Sequence, residues 1–344
     1  MTARFISLHF MPAFYSRHAG VTYGEAYYFD PAYRAQVECV EGRLLYDLFG
    51  HHGVGARHPA PTPNLFIQPI DLLLRTQGAE WRFPEDGTVE STGAPWAGLS
   101  PAEIDAIDPR EAAVHPVIDA VLAQYRQLER LYGDRADILG TKSGTVNIHA
   151  PYTTAHQLCG EGLFMLMLED PAGAVVIFRK VWELYQAVYA RITAATGAQS
   201  TRLYLGDCSA SLLSEATYRE CVLPVNRELA AQFPQAGYHS CGSSSHLLAA
   251  FTGIPHLDAV QLGPGTDLAV AAGRFPGVTL EPLLDPVIIR DGNEEQVTVY
   301  VRGVLNDTTP APAVTLCAWS FDAETPAENV TPIYESLAVH VETS

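Results

Sequence analysis

His239 and Cys241 stand one residue apart after the short apolar run Ala236-Gly237-Tyr238, and Cys317 closes another run, Ala313-Val-Thr-Leu. In extended chain, residues two apart share a face, so an imidazole and a thiol would point the same way. Three soft ligands with an open fourth position is how a catalytic zinc is commonly held. The alternative is that Cys241 and Cys317 are small buried hydrophobes, as most free cysteines are. Spacing alone leaves both open. Asp207 follows the run Leu203-Tyr-Leu-Gly and reads either as a working carboxylate or as a capping or turn residue before Ser209-Ala-Ser-Leu-Leu-Ser-Glu215. Cys39, Cys159, Cys208 and Cys221 have no metal spacing and are expected to be structural. His51, His52 and His149 are expected to be surface or satisfied polar residues.

Such residues act together only if the fold gathers the ends of several strands. The second half of the chain alternates apolar runs with amphipathic helices in the required way. Asp170-Pro171 supplies a cap and a first-position proline. Apolar residues at helical spacing then run from Ala174 to Ile192, until Gly197 stops them. Strands are expected at 202–205, ending near 238–239, and at about 258–262, 278–280 and 313–316. Helices are expected over about 215–232, 244–252, from 267, and over 294–305, with a last one opening at Thr325-Pro326-Ala327-Glu328. Earlier, a helix over about 116–132 and the run 137–148 add material. Repeated strand–helix units imply parallel strands covered by helices. No Gly-x-Gly-x-x-Gly turn follows any expected strand, which disfavours a doubly wound dinucleotide-binding sheet. The expectation is therefore an α/β fold, a single (β/α)8 TIM barrel domain over 1–344. Residues 1–110 are less regular and read as an amino-terminal elaboration plus the first barrel strand. In a barrel, the carboxyl ends of the strands line the active-site mouth.

Composition removes whole classes of function. The 344 residues carry a formal charge of −18, and lysine occurs only at Lys142 and Lys180, so no nucleic-acid partner is expected. The amino terminus is broken by His9 and Pro12 and makes a poor export signal. No apolar run reaches the ~18 residues that span a bilayer. A cytoplasmic location is expected, with the six cysteines as free thiols or metal ligands. The sequons at Asn306 and Asn329 then carry no meaning.

Several segments resemble the uroporphyrinogen decarboxylase superfamily. YHSCGSSSHLLAAFTGIPHLDAVQLGPGTDLA is similar to the His-x-Cys-Gly region of its methylcobamide:thiol methyltransferase branch, and AVTLCAWSFDAETPAENV to that branch's strand, cysteine and Thr-Pro-x-Glu-Asn helix start. IDLLLRTQGAEWRF resembles the Asp-Ile-Leu segment of the decarboxylases, and SRHAGVTYGEAYY echoes their Arg-Gln-Ala-Gly-Arg loop. Weaker similarity covers ADILGTKSGTVNIHAP and TYRECVLPVNREL.

The resemblance implies a (β/α)8 barrel, and its residues separate the branches. Arg17 matches the first arginine of the decarboxylase loop, but Val21 stands where a second is expected; Leu316-Cys317 replaces a terminal Gly-His. Asp71 matches the decarboxylases' essential aspartate. The matches at His239, Cys241 and Cys317 favour the methyltransferases. That branch implies a zinc enzyme in which those three residues hold Zn2+ and a small thiol (coenzyme M, homocysteine or similar) takes the fourth position. The methyl donor would be a methylcobamide, free or on a corrinoid protein. Asp207 would orient the substrate or a ligand's hydrogen bond, and Arg17 would meet a substrate anion. The rivals are a metal-free decarboxylase working through Asp71 and Arg17, and a non-catalytic corrinoid- or metal-binding barrel.

Overall fold

The computed structural model describes residues 3–343, with side chains as far as Leu337. Seven parallel strands organise it: β1 (Ala3–Phe10), β2 (Thr145–His149), β3 (Arg202–Gly206), β4 (Gln235–Ser240), β5 (Leu257–Leu262), β6 (Thr279–Pro282) and β7 (Ala313–Phe321). Helices connect successive strands, so the fold is α/β, as expected. The chain divides into two compact units, the division falling inside β5. Met1–Thr62, Phe83–Thr88 and Ala259–Ser344 make the first; Pro63–Arg82 and Val89–Asp258 make the second.

In the first unit β7 lies between β1 and β6, and β6 pairs with β5. The register sets Ser7 beside Cys317 and Leu280 beside Val314. Val260, Leu280, Val314 and Leu316 are fully buried, which is why these short runs form central strands. The amino-terminal segment is more regular than its sequence suggests. It holds β1 and three helices, Pro12–Ala19, Gly24–Phe29 and Pro31–Phe49. The last is invisible in the sequence because only Pro31, Arg34, Val37 and Phe49 of its nineteen residues are buried, which leaves no apolar stripe to read. Asp30 starts it by accepting from the Ala32 and Tyr33 amides. Thr325 does not cap the final helix as expected. Its hydroxyl closes a turn with Asp322, and a 3-10 turn over Ala327–Val330 precedes the helix Thr331–Thr343.

In the second unit β3 lies between β2 and β4. The long helix Pro171–Thr196 matches its expectation, with Asp170 accepting from the Gly173 amide at 2.9 Å and Gly197 ending it at φ 68°. The helix expected over 215–232 is broken into Glu215–Thr217, a π turn Tyr218–Val222, and Leu223–Ala230. Pro224 has no N–H to give the carbonyl four residues back, so the ladder is interrupted there. The run 137–148 is interrupted by turns through Gly140 and Gly144, both at positive φ, and only Thr145–His149 joins the parallel set.

The eight-strand barrel is thus met in part, with seven strands in one sheet among the described residues. The two-residue strands Asn64–Leu65 and Asp137–Ile138 pair only with each other. Pro61 and Pro63 lack the N–H groups that a longer strand before Asn64 would need.

On one face of β2–β3–β4 the register lines up two rows. Asn147, Tyr204 and Gly237 make one; His149, Gly206 and His239 make the next, at the carboxyl end. A Cβ on Gly237 would come within 2.3 Å of Tyr204 Cδ2, whereas one on Gly206 would meet nothing closer than 3.6 Å. Gly237→Ala is expected to cost about 1–3 kcal/mol in urea unfolding, from overpacking against the tyrosine ring. Gly206→Ala should cost clearly less. Equal losses would contradict this register.

Candidate metal centre

β3 and β4 end side by side, and pairing continues past β3, where the Asp207 amide donates to the His239 carbonyl at 2.7 Å. Two residues beyond β3 comes Cys208; His239 is the penultimate residue of β4, and Cys241 lies just past it. One donor atom from each of Cys208, His239 and Cys241 lies within 4.8 Å of the other two. Cys208 Sγ is 3.4 Å from His239 Nε2, and Cys241 Sγ lies 3.7 Å from the Cys208 carbonyl oxygen. Tetrahedral zinc–sulfur and zinc–nitrogen bonds would set such donors roughly 3.5 Å apart, so the three fit a soft divalent ion. The thiols also act on each other. Their mutual hydrogen bond, with the neighbouring His239, pulls Cys241 below the usual thiol range, and the same bond, with burial, pushes Cys208 above it.

A buried polar layer lies behind the ligands. Asp207 is completely buried and accepts hydrogen bonds from Thr153 Oγ1 at 2.8 Å, the Tyr238 hydroxyl at 2.9 Å and Asn226 Nδ2 at 3.3 Å. The Tyr218 hydroxyl donates in turn to that of Tyr238 at 3.0 Å, and Thr153 Oγ1 accepts from the Ser209 amide. Burial raises the Asp207 carboxyl to about 6 against these donors. Asp207 is therefore not a helix cap. Ser214 caps the next helix, accepting from the Thr217 amide.

The other sequence candidates have partners of their own. Cys317 is buried in β7 of the first unit and is not among the three gathered donors. Its Sγ accepts from Gln261 Nε2 at 3.2 Å, and burial, with Glu281, pushes the thiol up to about 12. Arg17, also in the first unit, is more than half exposed and pairs with Glu324 at 3.3 Å. Asp71 sits in the first turn of the helix Pro69–Thr76 in the second unit, accepting from Ser91 Oγ at 2.7 Å, with Trp81 Nε1 on its carbonyl.

Two residues of the centre escape a reading of the sequence. Cys208 is expected there to be structural, because its partners are 31 and 33 residues away and no short motif links them. The signal available is its place directly after Asp207 at a strand end. His149 is expected to be satisfied or on the surface, yet it ends β2 in the same row as His239, half-buried, and burial together with His239 holds it down at about 4.

Comparison with known proteins bears on this centre. Residues 67–338 match the family model described as uroporphyrinogen decarboxylase (URO-D). The chain belongs to the uroporphyrinogen decarboxylase family. A methylated-thiol–coenzyme M methyltransferase of Methanosarcina mazei is 34% identical over 134 residues, 38% of this chain and 34% of that protein. The match thus spans about a third of the relative's length. A solved structure of a methyltransferase from Methanosarcina mazei has the same fold, with a TM-score of 0.64 at 14% identity, covering 99% of this chain and 94% of that one. Within this family, then, methyltransferases share both sequence and fold with the chain. No helix among the described residues is long and apolar enough to cross a membrane.

Asp71 offers a test of the packing around it. Burial raises its carboxyl to about 6, with the Ser91 hydrogen bond opposing. A carboxyl raised above its unfolded value, near 4, favours folding at low pH and loses that contribution as pH climbs through 6. Asp71→Asn should therefore gain about 2–3 kcal/mol relative to the parent between pH 4 and pH 7, read by urea unfolding at both. A difference that does not change with pH would contradict a buried carboxyl there.

Proposed function

We propose that this protein is a methyltransferase that moves a methyl group from a methylated corrinoid to a small thiol, with zinc held at the ends of β3 and β4. The observation that carries the reading is the gathering of Cys208, His239 and Cys241 within 4.8 Å of one another. Those are soft donors, and such sets hold zinc in preference to harder ions. A free thiol is mostly protonated near neutrality, and zinc would bind it as the nucleophilic thiolate. With zinc bound, two protein thiolates would keep electron density at the position where the substrate sulfur would lie. His239 and Cys241 come from adjoining positions on one strand end, so their spacing is fixed by backbone rather than by flexible side chains. Asp207 holds that strand end to the Cys208 turn. The relative's name, which includes both a methylated thiol and coenzyme M, supports a thiol as acceptor. The cytoplasm, where thiols stay reduced, suits the six free cysteines. One barrel domain over 1–344 and a corrinoid protein as methyl carrier belong to the same proposal.

The third protein ligand has two candidates. The family resemblance implies Cys317, and proximity favours Cys208. Arg17 as an anion contact is likewise proposed on the resemblance alone.

Purified protein should carry about one zinc per chain by plasma mass spectrometry, and His239→Ala and Cys241→Ser should lose it. Whichever of Cys208→Ser and Cys317→Ser also loses it is the third ligand. A folded parent that cannot be loaded with zinc would sink the mechanism and favour decarboxylation around Asp71.

A further inference from the structure

The row His149–Gly206–His239 crosses three neighbouring strands at their carboxyl ends, with both imidazoles on one face. The central residue has no side chain. A Cβ there would meet the Ile148 carbonyl oxygen at 3.6 Å and His149 Cα and Cδ2 at 3.8 Å, ordinary van der Waals contacts that leave room for a methyl group beside the His149 ring. Gly206 therefore puts no side chain of its own on the floor between the two rings. One row below, the same position is filled. Tyr204 leans across Gly237 so closely that no other side chain would fit. At the level of the metal centre, by contrast, a methyl group could be added without a clash. The side chain of His149 makes no hydrogen bond among the described residues, although the ring is half-buried and has two nitrogens to satisfy.

We infer that the substrate thiol lies over Gly206, between the two imidazoles, and that His149 contacts it by donating a ring N–H to the sulfur. The inference rests on the zinc–thiol reading above and adds to it the residue that orients the acceptor. An uncharged imidazole suits this place. It can donate one hydrogen bond to a thiolate without adding a positive charge beside the metal, and a bond to a charged acceptor is stronger than one between neutral groups. With zinc on one side and His149 on the other, the sulfur would be held for attack on a methyl group. The ligand class is the small thiol of the reading above, presenting its sulfur to this row.

The test measures thiol binding without any methyl donor. Zinc-loaded parent, His149→Leu, His149→Asn and Gly206→Ala are titrated with coenzyme M and with homocysteine by calorimetry, after zinc content and thermal melting have been recorded for each. His149→Leu should keep its zinc and bind thiol about tenfold or more weakly. His149→Asn, which retains a donor, should recover part of that loss. Gly206→Ala, which the backbone accommodates, should keep zinc and fold yet weaken binding by filling the floor. Parent-like thiol binding by both His149→Leu and Gly206→Ala would overturn the inference. So would loss of zinc in a folded His149→Leu, which would make His149 part of the metal's own support. Failure of the zinc reading shows separately, in a parent that takes up neither zinc nor thiol, and it would overturn this inference with it.

Discussion

A carboxyl group with no exposure to water governs the layout of this centre. Asp207 follows β3, and leaving its side chain unpaired in the interior would be severely destabilising. Thr153, Tyr238 and Asn226 all donate to it, and its own amide donates to His239. These bonds tie the turn carrying Cys208 to the strand carrying His239 and Cys241. Three soft donors from two strand ends are thus set by a network that needs no solvent-exposed contact. Because the network is buried, each hydrogen bond in it is worth more than at the surface, and each missing partner costs more.

Glycines shape the same unit by what they admit. Glycine at Gly237 admits the Tyr204 ring, whereas at Gly206 a Cβ would meet only ordinary contacts of 3.6–3.8 Å, from Ile148 and His149 as its nearest neighbours. One row of the sheet face is therefore closed to a further side chain, and the next, at the level where the ligands gather, is packed less tightly. The long helix Pro171–Thr196 is buried along one face and reaches β2 through the Tyr189 hydroxyl, which donates to the Asn147 carbonyl at 2.8 Å. A site built from strand ends and glycines is stiff in position and free in composition, which is how one fold hosts several reactions.

Much of this frame is legible in the residues. Helical periodicity closed by Asp170-Pro171 and Gly197 locates a helix to within a residue, and the apolar runs find β3 to β7. Legibility fails where physical causes act over distance or against pattern. The helix Pro31–Phe49 buries too few residues to show a stripe, and Pro224 turns one helix into three pieces. At the centre, His239 and Cys241 are visible because strand geometry alone relates them. Cys208 is not, since its closeness to them comes from strand pairing between β3 and β4. His149 needs the register of a third strand. Asp207 stands out in the sequence, but its work is to anchor two strand ends, a role that depends on Tyr238 and Asn226 from elsewhere in the chain.

The central claim is that soft donors at these strand ends hold a zinc ion whose open position takes a thiol. X-ray absorption at the zinc edge of the loaded protein tests it most directly. The account expects sulfur neighbours near 2.3 Å with one nitrogen at about 2.0–2.1 Å, and one additional sulfur once a small thiol is supplied. A zinc shell of oxygen and nitrogen alone, or a sulfur shell unchanged by the thiol, would contradict it.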